Sequence, residues 1–585
     1  MEIQSGADYI ADFIAKRINS KVFVVNGGAC SAIIDAVGRH SQLDYICFQH
    51  EQSAAMAADA VWRTSQKIGV TISTSGPGAT NLITGIACSW FDSIPAIHIT
   101  GNVNQDNSKE AFNANVRQAG FQETDIVQMV SGITKWSHKV SSMEDLVESL
   151  ERALNAAMSG RKGPVLIDIP MNLQNSECTA HDQLVNKQAI IEEISTNIDI
   201  TNQINDFFKN CERPLIIFGA GMGYSGNIQK VEHWCQENSI PYVSSWGGIS
   251  MVDRKHENYL GTFGVYGDRI ANVAIQSADR ILVLGSRLDE RQRTSNFEAF
   301  APFAKILVID IDEEELKKFK ICQNYQSIKL DLRNLNSVSN WRWDRNENWI
   351  QKLNHFRITY SRGHSLSKEP NTINPYEALE IIWSKIKIGS IIVADTGANL
   401  CWTYQTFPSI PHQLFTAAGN SPMGYSLPAA IGAQVMNPLT PVYCFIGDGG
   451  LQMNIQELQT IFAYQLPIKV ILFNNNGYGI IKQFQDANFD GRYFASGIGY
   501  SIPDFKIISE AYKLPYYKVD DFKVLKELVI PENSCIIEIV VPSNALTSPK
   551  VEYDHFIHDQ FPYNLDDLVS KLPYSYPNSP RNLRS

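Results

Sequence analysis

Short, unbroken apolar runs that end in glycine clusters alternate with helix-period segments along most of the chain. Up to about residue 180 the runs are "VFVVNGG", "GVTISTSGPG", "AIHITGN" and "PVLIDIP". A second block, roughly residues 190 to 345, holds "PLIIFGAGMG", "IPYVSSWGG", "RILVLGS" and "KILVIDID". A third, roughly residues 365 to 545, holds "SIIVADTG", "PVYCFIGDGG", "IKVILFNNNG" and "CIIEIVV". Runs of Val, Ile and Leu without polar alternation are expected of strands covered on both faces, and intervening helices imply parallel order. The pattern predicts an α/β protein of three consecutive doubly wound parallel-sheet domains, residues 1–183, 190–345 and 365–545. The polar stretches "NSECTAHDQLVNKQ" and "SRGHSLSKEPNTINP" mark the boundaries. From residue 551 to 585 the chain becomes a tail rich in aromatic residues, Pro and Asn, with one helix-like piece, "NLDDLVSKL". Such a tail either covers an active-site mouth or lies loose over the surface.

Composition narrows the class. A chain of 585 residues is too long for a single core. The formal charge of -11, with no element that concentrates Lys and Arg, argues against a nucleic-acid surface. No apolar run reaches the roughly 18 residues of a membrane span. The opening "MEIQSGADYIADFIAKRI" has the pattern of an amphipathic helix, not of a signal peptide. The ten cysteines are scattered, without a C-x-x-C pair or zinc spacing, as expected of reduced core residues in a cytoplasmic protein.

The first candidate chemistry lies in "CFIGDGGLQMN", where Asp448 stands between glycines at the end of an apolar strand. On its own this carboxylate reads most simply as a helix cap. A second strand, "ILFNNNGYGI", ends 27 positions further on in consecutive asparagines and glycines. If the two strands are parallel neighbours, both ends open onto one crevice, where such sheets bind ligands. Asp448 and Asn475 then offer one charged and one neutral oxygen, a set that suits magnesium carrying a diphosphate. The carbonyl of Gly477 is a third ligand candidate. The glycines after Asp448 let backbone N–H groups approach phosphate closely. The motif, GDG followed at this interval by NN, resembles the thiamine diphosphate signature. The resemblance implies cofactor contacts at Gly447, Asp448, Gly449, Gly450, Asn475, Gly477, Tyr478, Gly479 and Ile480.

A second constellation is "CFQHEQSAAMAADAVWR", with Glu51 after a short strand at the start of an Ala-rich helix. The plain alternative is a charge that favours a helix N-terminus. The stretch resembles the HEQ-A-A-A segment of acetolactate synthase-like thiamine diphosphate enzymes, whose glutamate hydrogen-bonds the cofactor's aminopyrimidine. The chemistry requires such an acid. The cofactor's exocyclic nitrogen must remove a weakly acidic carbon-bound proton, and a carboxyl group on the far ring nitrogen favours the basic tautomer. In that family the glutamate and the diphosphate anchor come from different subunits, so a homodimer at least, or a tetramer, is expected.

The resemblance spans nearly everything before the tail. It makes the three domains pyrimidine-binding, middle and diphosphate-binding. It places Pro77 and Asn81 of "SGPGATN" in the pyrimidine-binding loop and Gln122 of "RQAGFQETDIV" near the reacting carbon, with the Gly28 backbone beside it. It places Thr396, Gly397, Ala398 and Asn399 of "DTGAN" at the diphosphate. Ser421 and Met423 of "NSPMGYSLPAAIGA" fall in the segment whose bulky residue wedges under the bent cofactor. In the middle domain, "GSRLDERQ" and "VIDIDEEEL" resemble a layer that holds FAD in acetolactate synthases and is purely structural in other relatives. Arg287 and Asp310 are the residues to test for FAD.

The departures concern the acceptor. Branched-chain acetolactate synthases carry a tryptophan in the segment that here reads "IKQFQ", where Phe484 stands, and their "PMVPPG"-like segment is replaced by "LTSPKVEYDHF". The adjacent histidines of pyruvate decarboxylases are absent, and Asn26 takes the place of their acidic strand-end residue. The chain looks most like the acetolactate synthase-like proteins of unusual-sugar chemistry, which join a two-carbon unit from pyruvate to a keto-sugar nucleotide. Asn26, Arg117, Phe484 and the tail are then the candidates for an acceptor pocket. The rivals are an acetolactate synthase proper, a non-ligating decarboxylase or lyase, and a scaffold that has lost catalysis.

Overall fold

The computed structural model describes residues 4–113, 115–179, 200–295, 297, 299–343, 347–359, 372–552 and 555–561. Most of both predicted boundary stretches, and "NLDDLVSKL" in the tail, lie outside these residues. The chain divides into two compact units. One joins Met1–Glu193, Glu380–Leu400 and Ile410–Ala545; the other joins Ile194–Leu379, Cys401–Ser409 and Leu546–Ser585.

The apolar runs form three six-stranded parallel sheets. The first contains β1 (Val22–Val24), β2 (Tyr45–Cys47), β3 (Gly69–Ser73), β4 (Ala96–Asn102), β5 (Trp136–Lys139) and β6 (Val165–Pro170), in the order β2-β1-β3-β4-β6-β5. The second contains β7 (Pro214–Phe218), β8 (Tyr242–Ser244), β9 (Tyr259–Thr262), β10 (Arg280–Leu284), β11 (Lys305–Asp310) and β12 (Tyr325–Lys329), in the order β12-β11-β10-β7-β8-β9. The third contains β13 (Ile391–Ala394), β14 (Gln413–Phe415), β15 (Val442–Gly447), β16 (Ile468–Asn474), β17 (Tyr516–Val519) and β18 (Cys535–Val540), in the order β14-β13-β15-β16-β18-β17.

In the second unit the sheet is covered on both faces. Ile216, Phe218, Leu282, Leu284, Leu307 and Ile309 enter one apolar cluster, and their neighbours Leu215, Ile217, Ile281, Val283, Ile306 and Val308 enter another. Counted within the sheet, its strand order is 3-2-1-4-5-6, the doubly wound order of dinucleotide folds. The described start of the tail packs in this unit: Lys550–Val551 pairs antiparallel with Gln560–Phe561, Val551 N–H donates to Val265 O at 2.8 Å, and Ile557 is buried. This part of the tail does not lie loose.

The first and third sheets share the other unit. Helix Glu51–Ser65 packs against helix Ser426–Met436, and small residues make the approach close. A Cβ on Gly432 would sit 2.3 Å from Ala57 O, and one on Gly85 would sit 2.3 Å from the Ala55 Cβ. The alanine content of "EQSAAMAADA" is therefore a packing requirement. A buried ion network crosses the same seam. Arg63 pairs with Asp59 at 2.6 Å and with Asp92 at 2.8 Å, while the Tyr425 hydroxyl and the Ser89 hydroxyl both donate to Asp59. Asp92 in turn accepts the N–H groups of Ala418 and Gly419 at 2.8 Å each. With every carboxylate oxygen partnered, these charges are tolerable in the interior.

No two cysteines form a disulfide; eight are buried, Cys322 is half-buried and Cys47 is exposed, so not all are core residues. No described helix is long and apolar enough to cross a membrane.

Candidate active site

Apart from Arg287 and Asp310, the candidate residues lie toward the carboxyl ends of the first and third sheets, most of them in two clusters. In the first cluster, Glu51 opens the helix after β2 and is buried. Its Oε2 accepts from Asn81 Nδ2 at 2.9 Å, and a Cβ on Gly78 would sit 3.3 Å from its Oε1. Gly76, at φ +60, backs onto Gln122: a Cβ there would lie 2.9 Å from the Gln122 Cβ. Gln122 is itself left-handed, at φ 61. Its loop is gathered by the buried Glu123 carboxylate, which accepts the N–H groups of Lys109 and Ala119 at 2.9 Å and of Gly120 at 3.1 Å. The β1 end closes the cluster, since Ala29 N–H donates to the Thr74 hydroxyl at 3.2 Å and Gly27 packs on the Thr74 side chain. Gly28 is exposed, with open space where a Cβ would project. Asn26 and Arg117 are exposed, Pro77 is exposed beside Gly78, and Phe121, next to Gln122, is 84% exposed.

The second cluster is built from four strand-end or loop segments. β15 and β16 are parallel neighbours, with Gly447 opposite Phe473, so the ends carrying Asp448 and Asn475 lie side by side. Gly477 N–H donates to Asp448 Oδ2 at 3.3 Å, and Gly449 N–H donates to Asp448 Oδ1 at 2.7 Å. Burial raises the Asp448 carboxyl above its ordinary range against these bonds, which favour the charged form. Met423 and Tyr478 meet over Gly449, where a Cβ would be 3.0 Å from Met423 Cε and 2.5 Å from Tyr478 Cε1. The Asn475 amide lies over Gly479, whose Cβ would fall 2.4 Å from Nδ2 and 3.7 Å from the Ala398 Cβ. The Thr396 and Ser421 hydroxyls are 2.8 Å apart, and Asn399 Nδ2 donates to Thr396 O at 2.9 Å. Gly447 and Gly450 belong to the Asp448 segment and Ile480 to the Asn475 segment. Phe484 lies farther along helix Gly479–Asn488, 45% exposed, with its ring edge-on to Phe489.

Three residues of this region were not singled out from the sequence. Asp395, at the β13 end, is fully buried and holds the Met423 segment by accepting Gly424 N–H at 3.0 Å and Ser426 N–H at 2.9 Å. Burial lifts its pKa to about 6 despite those bonds. It is a strand-end carboxylate like Asp448 but without the flanking glycines. Asn454 donates to Gly424 O at 2.8 Å and accepts from Gln52 Nε2 and the Ser53 hydroxyl at 3.2 Å each, tying the Glu51 helix to the second cluster's loop. Tyr500 donates to Asp448 Oδ1 at 3.1 Å. Neither of these two has a local motif.

The second cluster fits magnesium and a diphosphate. The donor set is one carboxylate, one amide oxygen and backbone carbonyls, which suits a hard cation that keeps substrate oxygens in its shell. Asn399 Oδ1 is buried with no hydrogen-bond partner among the described residues, as expected of a polar atom aimed at a ligand. Gly449 and Gly479 have no room for a side chain, so only backbone lines the cradle there. No group of three or more His, Cys, Asp and Glu side chains gathers among the described residues, so a transition-metal centre is not the pattern seen. In the second unit, Arg287 and Asp310 stand at the carboxyl ends of the paired strands β10 and β11; Arg287 lies 3.5 Å from Asp289, and Asp310 accepts Asp312 N–H at 3.0 Å.

The two clusters and the three sheets define a thiamine pyrophosphate enzyme, and the chain belongs to that family. Residues 4–129 match its N-terminal TPP binding domain, 201–333 its central domain and 395–530 its C-terminal TPP binding domain. Within the family it is an acetolactate synthase-like carboligase. It is 31% identical to the acetolactate synthase large subunit of Lactococcus lactis subsp. lactis over 94% of both chains. It is 32% identical to that of Cyanidium caldarium, over 90% of this chain and 91% of the relative. Chloroplastic acetolactate synthase 1 of Oryza sativa is 30% identical, over 94% of this chain and 86% of the relative.

Proposed function

We propose that this enzyme decarboxylates a 2-oxo acid, pyruvate, and transfers the two-carbon unit to a second carbonyl compound, a keto-sugar nucleotide being the acceptor to test first. The supporting observation is the convergence of Thr396–Asn399, Met423, Asp448–Gly450 and Asn475–Gly479 on one cradle, with Glu51 held separately by Asn81. Asp448, Asn475 and the Gly477 carbonyl would hold magnesium and the diphosphate. Met423 would pack against the cofactor, and thiamine diphosphate would supply the electron sink for decarboxylation when bound. Glu51 exchanges a proton at its carboxyl with the aminopyrimidine ring, and Gln122 with the Gly28 N–H orients the reacting carbonyl. Phe484, smaller than the tryptophan of branched-chain synthases and standing clear of the cradle, favours an acceptor bulkier than a keto acid, with Asn26 and Arg117 as further contacts.

Both Glu51 contacts come from the first sheet's loops and the Asp448 contacts from the third sheet's. That separation supports a catalytic homodimer, in which Glu51 of one copy serves the anchor of the other, with a tetramer as a pair of such dimers. FAD at Arg287 and Asp310 and a purely structural layer are the two readings for the middle domain, and the location read from the scattered cysteines is cytoplasmic. The deciding experiment is mass spectrometry of products from pyruvate with keto acids, aldehydes and keto-sugar nucleotides. A sugar-linked product supports the reading; acetolactate alone supports the plain synthase; steady acetaldehyde release without ligation overturns the carboligase. Flavin absorbance of the purified protein tests FAD, and its absence assigns the layer a structural role.

A further inference from the structure

The Asp448 carboxylate takes three backbone N–H groups and one side-chain hydroxyl. Oδ1 takes the Gly449 N–H at 2.7 Å and the Tyr500 hydroxyl at 3.1 Å, Oδ2 takes the Gly477 N–H at 3.3 Å, and the Asn476 N–H also faces the carboxylate. The one side-chain donor comes from 52 residues on, at the end of the loop that follows helix Gly479–Asn488. That loop is fastened to the anchor twice. Ser496 O accepts the Tyr478 N–H at 3.0 Å, and the Tyr500 ring packs on the Tyr478 ring with centroids 4.6 Å apart. Gly499, at φ +81, makes the turn that delivers Tyr500. The hydroxyl is therefore held in place by packing that does not depend on the hydrogen bond itself.

A carboxylate free to rotate offers either oxygen to a cation. Tyr500 engages Oδ1, which leaves Oδ2 on the side of Gly477, the third ligand candidate. We infer that Tyr500 is a positioning residue for the metal anchor: its hydroxyl fixes the Asp448 rotamer and reserves Oδ2 for the divalent cation. This rests on the magnesium–diphosphate reading above. Outer-shell partners of this kind typically contribute roughly 10–100-fold to metal affinity.

The test uses the full-length wild type, Tyr500→Phe and, as a loop control, Tyr493→Phe, which removes only the bond from Tyr493 to Asp486. Magnesium is titrated at fixed thiamine diphosphate and cofactor binding is followed by tryptophan fluorescence or calorimetry. Tyr500→Phe keeps the ring against Tyr478; it is expected to raise half-saturating magnesium roughly 10–100-fold, with melting temperature unchanged and cofactor binding restored by excess magnesium. Unchanged half-saturation in Tyr500→Phe overturns the inference, as does an equal shift in Tyr493→Phe, which would assign the effect to the loop. Lost binding that magnesium cannot restore also overturns it, because the hydroxyl would then touch the cofactor. A wild type that binds thiamine diphosphate with no divalent cation overturns the anchor reading itself, and this inference with it.

Discussion

Numbered from its own first strand, the sheet of residues 22–170 runs 2-1-3-4-6-5, and so does the sheet of residues 391–540. The same winding carries different chemistry at its strand ends. The third sheet ends β15 in Asp448 and β16 in Asn475, with glycines after both, and makes a cradle for a cation and phosphate. The first sheet ends β1 and β3 in uncharged Asn-Gly-Gly and Ser-Thr-Ser-Gly segments and places its candidate catalytic acid, Glu51, on the helix after an edge strand. The topology thus dictates where a ligand can sit, while the residues at the tips dictate what kind.

The sharpest way to separate the two roles is to remove each acid. Glu51→Gln keeps the shape and the hydrogen bond from Asn81 but removes the transferable proton. It is expected to lower kcat by roughly 10²–10⁴-fold with cofactor affinity kept, read by steady-state rates beside a binding titration. Asp448→Ala is expected to do the converse and weaken magnesium-dependent cofactor binding by more than the roughly 100-fold of an outer-shell loss. Matching losses in both parameters for both variants would dissolve the division. Mixing the two inactive variants adds a further test, since composite sites in a dimer would restore part of the activity.

The seam between the sheets gives smaller effects. Asp59→Ala takes from the buried Arg63 one of its two carboxylate partners, with Asp92 kept, and should cost up to about 3–5 kcal/mol, read as denaturant midpoint. Gly432→Ala pushes a methyl to 2.3 Å from Ala57 O and should cost about 1–3 kcal/mol. The most gradual effect is on pH dependence. Asp168, in the first sheet, is raised to about 7 by burial against its bonds from Thr100 and Asn102. Because the folded value exceeds the unfolded one of about 3.9, its contribution is complete below about pH 4 and is lost as pH rises toward 7. Asp168→Asn should flatten that fall, at most about 1.4 kcal/mol per pH unit; chemical denaturation from pH 5 to 8 measures it.

The sequence patterns reveal these sheets unevenly. The four apolar runs named in each block are the four central strands of each sheet. The edges β5, β9, β12 and β17 carry polar or half-exposed residues, as in "WSHK" and "YQSIK", and leave no continuous apolar run to notice. The same contrast holds at the site. Asp448 is legible because glycines flank it and a paired asparagine follows at a crossover's distance. Asp395 also ends a strand but stands between Ala394 and Thr396, without flanking glycines, while Tyr500 and Asn454 reach the site only through tertiary packing. Arg117 and Asn26 are as exposed as any loop residue, and their place in an acceptor pocket is a matter for the product assay.

The seam also bears on how the chain is made. Helix Glu51–Ser65 finds its cover on helix Ser426–Met436, on the order of 370 residues later. At roughly 5–20 residues per second of synthesis, the alanine face waits on the order of 20–70 s on the ribosome before its partner emerges. During that interval the nascent first sheet presents an apolar surface with Arg63 in it, the kind of transient exposure that favours aggregation until the partner helix covers it.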